Sequence, residues 1–243
     1  MNKTIFSITI TFSLLMCFHG FSQIEIINLK CEHLENPIGI DEPYPRFAWQ
    51  LESEKPGSLQ NAYQLIVGTE KADVATGKGN IWESGTINSS VIPVVCKGEE
   101  LQPFTRYFWS VRVQDESDEW SDWSSVAWFE TGMMDQTNWK GKWITDTYDY
   151  TVKPAPYFRK EINTDKKIES ARAYIAVAGL YELFINGKRI GDHRLDPMYT
   201  RFDRRNLYVT YDVTEILQQG ENAIGILLGN GWYNHQSTAV WYF

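Results

Sequence analysis

Leu101-Gln102-Pro103-Phe104-Thr105-Arg106-Tyr107-Phe108-Trp109-Ser110-Val111-Arg112-Val113-Gln114 alternates with a period of two through its second half. Successive side chains of a strand point to opposite faces, so Tyr107, Trp109, Val111 and Val113 share one apolar face. Phe108 and Arg112 take the other face. Working outward, helical periodicity is almost absent from residues 24–131, and short alternating runs are separated by Pro, Gly, Asn and Asp clusters. Strands are expected over 26–34, 46–51, 62–68, 81–84, 91–95, 106–114 and 127–131. The fold class predicted from this pattern is all-β, and the unit at 23–132 is a β-sandwich.

Seven strands in so short a segment match an immunoglobulin-like or fibronectin type III domain. Leu101-x-Pro103-x-Thr105-x-Tyr107 resembles the tyrosine corner of the latter, in which the hydroxyl ties the strand to the loop before it. Trp49 and Trp82 are assigned to the core with Trp109. Trp120-Ser121-Asp122-Trp123-Ser124 is similar to the Trp-Ser-x-Trp-Ser box of class I cytokine receptors. A guanidinium at Arg112 can stack between the indoles of Trp120 and Trp123 by cation–π attraction. The box is a way to cover a sheet face and by itself implies no receptor.

A second unit is read over 133–243. Strands are expected at 157–162, 171–177, 181–185, 208–211 and 223–228. Asn186-Gly187 between two apolar runs is a strong hairpin signal, because both residues tolerate positive φ. Residues 212–217 read as a short helical turn. The pattern is that of an antiparallel jelly roll. It stops inside an apolar run at Phe243, so the sandwich is expected to be truncated at its C-terminal end, with an exposed sheet edge.

The chain has 243 residues, 43% of them hydrophobic and 14% aromatic, and a net charge of −8. So acidic a surface repels phosphate backbones, which argues against nucleic acid as a partner. Residues 1–22 read as a signal peptide: Met1-Asn2-Lys3, an apolar run, then Gly20-Phe21-Ser22 before a cleavage site. The run is too short and interrupted for a membrane span. An exported protein, periplasmic or secreted to the cell surface, is therefore expected. Cys17 sits behind Met16 where a lipidation site wants a small residue. Cys31 and Cys96 fall on non-adjacent strands of this reading and are expected to be unpaired, buried thiols.

A family resemblance is carried by the run Ala178-Gly179-Leu180-Tyr181-Glu182-Leu183-Phe184-Ile185-Asn186-Gly187-Lys188-Arg189-Ile190-Gly191-Asp192 and by Leu195-Asp196-Pro197, Thr200, Arg205 and Tyr208. Tyr211-Asp212-Val213-Thr214, Gly220-Glu221-Asn222-Ala223-Ile224-Gly225 and Leu228-Gly229-Asn230-Gly231-Trp232-Tyr233 continue it. In the first unit it includes Asn36 to Asp41, Pro45 to Trp49, Ile81 to Gly85 and Phe129-Glu130-Thr131-Gly132. In this order the segments resemble the N-terminal part of bacterial α-L-rhamnosidases. Met198-Tyr199 and Phe202 depart from the usual residues. The resemblance implies an inverting hydrolase of terminal α-L-rhamnosides whose chemistry lies in a separate (α/α)6 barrel.

Inversion needs an acid and a base roughly 6.5–9.5 Å apart. No catalytic residue is assigned in this chain. Asp192, Asp196, Asp203 and Asp212 lie among Arg194, Arg201, Arg204 and Arg205, and surface pairing, an Asp212 cap and a turn at Asp196 are the preferred reading. The implied partners are the parent enzyme's own catalytic domain and a rhamnose-containing carbohydrate. Asn186, Asn230, Trp232, Asn234 and His235 form the candidate substrate-binding set. Some family members hold calcium beside rhamnose in the corresponding domain, and calcium wants six or more oxygens. Against that stands the plainer reading: Asn186 and Asn230 serving positive-φ turns beside Gly, and Trp232 in the core. His33, His193 and His235 have no zinc-ligand spacing. The rival functions are a stand-alone carbohydrate-binding or adhesin module and a receptor-like ectodomain.

Overall fold

The computed structural model describes residues 24–147 and 155–233, so the leader-like segment, Cys17, Asn234, His235 and the apolar run at 239–243 lie outside the described residues. The chain is all-β, built as two sandwiches. In the first, β1 (Glu25–Cys31), β3 (Arg46–Glu52) and β6 (Val94–Val95) form one sheet in the order β1-β3-β6. The other sheet has the order β2-β8-β7-β4-β5, from β2 (Ile38–Ile40), β8 (Ala127–Thr131), β7 (Arg106–Gln114), β4 (Ala62–Gly68) and β5 (Trp82–Glu83). A short α-helix, α1 (Lys71–Val74), follows β4, and a single 3-10 turn at Gln136–Asn138 follows β8.

Alternation along β7 does what the sequence dictates. Tyr107, Trp109, Val111 and Val113 are buried between the sheets with Phe47, Trp49, Leu65 and Phe129. Phe47 is fully buried, its ring 4.7 Å from that of Trp109. Trp82 is only partly buried at the margin. The hydroxyl of Tyr107 accepts the backbone N–H of Gln102 at 2.7 Å and closes the corner. On the opposite face Arg112 lies 5.0 Å from both the Trp120 and Trp123 rings, while Arg106 covers Trp128 at 4.1 Å. Cys31 and Cys96 are buried and unbonded; Cys31 ends β1, and Cys96 directly follows β6, across β3 from it.

The second sandwich pairs a four-stranded sheet, β12-β11-β14-β9, with a two-stranded one, β10-β13. Its strands are β9 (Tyr157–Thr164), β10 (Arg172–Ala176), β11 (Leu180–Ile185), β12 (Lys188–Arg189), β13 (Tyr208–Asp212) and β14 (Gly220–Gly229). Tyr181, Leu183 and Ile185 meet Ile175 and Val213 in its core. Asn186, at φ 51°, makes the expected hairpin turn.

Several expectations are corrected. The first strand ends at Cys31, because Cys31 and Leu34 close a tight turn with Glu32 and His33 at positive φ. Only Val94–Val95 pairs in the 91–95 run, and β2 and α1 were not anticipated. The short helical turn expected over 212–217 is present as a single turn, with Leu217 N–H donating to the Val213 carbonyl.

Candidate functional site

The residues that carry the resemblance converge on the junction between the two sandwiches. Period-two alternation sends Ala173, Ile175, Val209 and Tyr211 into the second core and turns Arg172, Tyr174, Tyr208, Thr210 and Asp212 outward, against the first domain. Arg172 donates from Nε and Nη2 to the two oxygens of Glu130 at 2.7 and 2.9 Å. Both side chains are 9% exposed, and Arg106 reaches the same carboxylate at 3.1 Å. Asp212 completes the cluster, 3.0 Å from Arg172. Burial pushes its carboxyl pKa up, but hydrogen bonds from Thr214 and the Arg172 charge outweigh this and hold it below the ordinary value.

A second knot lies beside it. Tyr208 donates to Asp41 at 2.7 Å, and its oxygen accepts Met133 N–H at 2.9 Å. Burial drives that hydroxyl's pKa far above the usual range. Contact this close needs bare backbone: a Cβ on Gly132 would lie 2.1 Å from the Tyr208 oxygen, and one on Gly39 2.4 Å from Thr210 Oγ1. Tyr174 meets Phe104 edge to face at 5.5 Å. The junction is therefore ionic, aromatic and closely packed. It can fix one domain against the other.

Of the tentative sugar-binding residues, Asn234 and His235 lie outside the described residues, and Asn186 is not brought near Asn230 and Trp232. Asn186 is spent on structure: its amide nitrogen donates to Ile216 O and Asn222 Oδ1, and its oxygen accepts Ala223 N–H. Register places Ile185 against Ile224 but Leu180 against Gly229, so Asn230 lies at the opposite end of the β11–β14 ladder. The left-handed residue there is Gly231, and Asn230 is not among the positive-φ positions. Trp232 is no core residue. It is 55% exposed, 6.1 Å from the Tyr199 ring. Tyr199 also meets Phe202, which meets Tyr233, so the exposed rings of Tyr199, Trp232 and Tyr233 cluster around a half-buried Phe202. In the sequence Tyr199 and Phe202 stand out only as departures from the family's usual residues. Neighbourhood across a long loop leaves no periodic signal.

The acids cluster as ordinary pairs. Arg201 donates to Asp203 at 2.8 and 2.9 Å, and Arg194 binds Glu182 at 2.5 Å. Asp196 accepts from Tyr211, whose oxygen lies 2.9 Å from that of Tyr181. Asp212 accepts Thr214 N–H in the capping manner expected. Among the described residues, no group of three His, Cys, Asp or Glu side chains is placed to hold a metal ion, and no helix is long and apolar enough to cross a membrane.

Residues 26–135 match a Rha78A-like N-terminal immunoglobulin domain, and residues 166–242 match an α-L-rhamnosidase N-terminal domain. An α-L-rhamnosidase of Formosa agariphila is 38% identical over 221 residues, covering 82% of this chain and 23% of that protein. A solved α-L-rhamnosidase structure from Dictyoglumus thermophilum superposes with a TM-score of 0.81 at 43% identity, over 86% of this chain and 25% of that one. The α-L-rhamnosidase of Aspergillus terreus gives 0.68 at 29% identity, over 86% of this chain and 24% of that one. The chain thus spans about a quarter of the length of the relatives it matches.

Proposed function

The chain carries the immunoglobulin-like and N-terminal rhamnosidase domains of the α-L-rhamnosidase family, and on that premise we propose that it is the accessory region of an exported enzyme releasing terminal α-L-rhamnose from glycosides or polysaccharides. Its own role is to pack on the catalytic domain and help hold the glycan. The observation that carries this reading is the serial match of both domains to relatives four times longer that are α-L-rhamnosidases. The arginine-paired acids above agree with it, since a carboxylate held in an ion pair is poorly placed as a general acid. Export rests on the leader-like pattern of residues 1–22. The test is to express the reading frame containing these residues and assay rhamnose release from an aryl rhamnoside. Release with inversion at the anomeric carbon is expected; no release overturns the reading.

A carbohydrate-holding role is favoured by the exposed rings of Tyr199, Trp232 and Tyr233, clustered around Phe202. Flat apolar faces suit the methyl-bearing side of rhamnose. Titration of the chain with rhamnose, with and without chelator, should give millimolar or tighter binding that is lost in Trp232→Ala. Absence of binding at millimolar sugar removes this role and its calcium.

A further inference from the structure

The loop of residues 194–205 holds four arginines and two aspartates, in a chain whose net charge is −8. Its last part is a single turn. The N–H groups of Arg204 and Arg205 donate to the Arg201 carbonyl at 2.8 and 2.9 Å, and the Thr200 hydroxyl pins the turn by donating to the Arg205 carbonyl at 2.5 Å. A bond from residue i+4 back to i is α-helical geometry, in which residues i, i+3 and i+4 lie on one side. Arg201, Arg204 and Arg205 therefore share a side. Phe202, next round the turn, meets the rings of Tyr199 and Tyr233.

The charges on that side are not balanced. Asp203 accepts two hydrogen bonds from Arg201, at 2.8 and 2.9 Å, and approaches Arg204 only to 3.8 Å. Arg204 is 74% exposed, and Arg205 is exposed and makes no ion pair among the described residues. Arg189 and Arg194, by contrast, are both held by Glu182. One turn thus presents three guanidinium groups against one carboxylate, beside the exposed rings of Tyr199, Trp232 and Tyr233. Tyr199 lies close enough to Arg201 to help hold its charge, behind the larger effect of Asp203.

We propose that this turn and the ring cluster together take a glycan that carries a negative charge, a uronate carboxylate or a sulfate ester, on the unit next to rhamnose. The inference rests on the carbohydrate-holding role proposed above. Rhamnose is uncharged and offers a guanidinium only hydroxyls, whereas the planar fork of arginine matches the paired oxygens of a carboxylate or sulfate. The rings supply the apolar platform for the sugar face. A net charge of −8 repels a continuous polyanion, but a contact inside the Debye length of about 8 Å feels the turn's own surplus. The charges this site accepts are therefore isolated among neutral units.

The test titrates the 243-residue chain with three disaccharides of one skeleton. The first is a uronic acid linked to L-rhamnose, the second has its carboxyl reduced to an alcohol, and the third is the reduced form bearing a sulfate ester. At about 20 mM salt the uronate or the sulfated form should bind at least about tenfold more tightly than the reduced one. Whichever does so identifies the anion. The advantage should shrink at about 0.5 M salt. It should vanish in the double variant Arg204→Gln with Arg205→Gln, which leaves the turn's backbone bonds in place, while the reduced disaccharide still binds. Equal affinities for all three overturn the anion preference alone, as does an advantage that survives the double substitution. No binding of any of the three overturns it together with the carbohydrate-holding role beneath it.

Discussion

Replacing Arg172 with Met keeps side-chain volume and removes the charge that spans the two domains. Glu130 would then keep only Arg106, whose side chain is 38% exposed, while its own carboxylate stays 9% exposed. Removing one partner of a buried pair costs about 3–5 kcal/mol, and the surviving Arg106 contact puts this case near 3. For a chain of this size each kcal/mol lowers the melting temperature by about 2–4 °C, so a fall of roughly 6–12 °C is expected in calorimetry. The double substitution Arg172→Met with Glu130→Met should recover at least half of that loss. It removes the stranded charge, and Arg106 remains stacked on Trp128 with access to water. Urea unfolding followed by tryptophan emission checks both figures. An Arg172→Met chain within about 0.5 kcal/mol of the parent refutes the reasoning, as does a double variant no better than the single one.

Other outcomes follow from the same contacts. Tyr107→Phe leaves the Gln102 N–H without its acceptor and should cost about 1–3 kcal/mol in thermal denaturation; an unchanged melt would show that the corner is ornamental. Burial pushes the Cys31 and Cys96 thiols upward, so a folded Cys17→Ser chain should be inert to a thiol reagent at neutral pH and react at both thiols in denaturant. Acid should destabilise the protein. Arg46 holds Glu32 below the ordinary value, Lys55 holds Glu116 at about 2, and Asp212 is depressed as described. A depressed folded pKa gives stability that is full above the unfolded pKa near 4 and is lost as pH falls through the folded value. Melting temperature should therefore drop between about pH 4.5 and 2; a flat profile there would contradict the pairings.

The legible parts of the sequence are those where one buried face imposes a period. Strands 62–68, 106–114 and 127–131 appear with the bounds their alternation predicts. The Asn186-Gly187 turn and the Arg112 stack between two tryptophans also follow from local chemistry. β2 was illegible because three residues around a glycine carry no period, and its pairing with β8 is parallel and distant. The junction was illegible for a different reason. Gly39, Asp41, Glu130 and Tyr208 each stood out as part of a motif, yet docking two separately folded sheets brings them together, and no local pattern encodes that. Asn186 and Trp232 show the same limit in reverse. A polar turn residue proved fully engaged inside the hairpin, and a tryptophan beside a glycine turn proved exposed.

The central claim is that sugar cleavage is done outside these residues. The direct measurement incubates the purified 243-residue chain with an aryl α-L-rhamnoside beside the whole polypeptide. Turnover by the whole polypeptide and none by the chain is the predicted result. Turnover by the chain alone, abolished by replacing one of its own carboxylates such as Asp196 or Glu182, would contradict it.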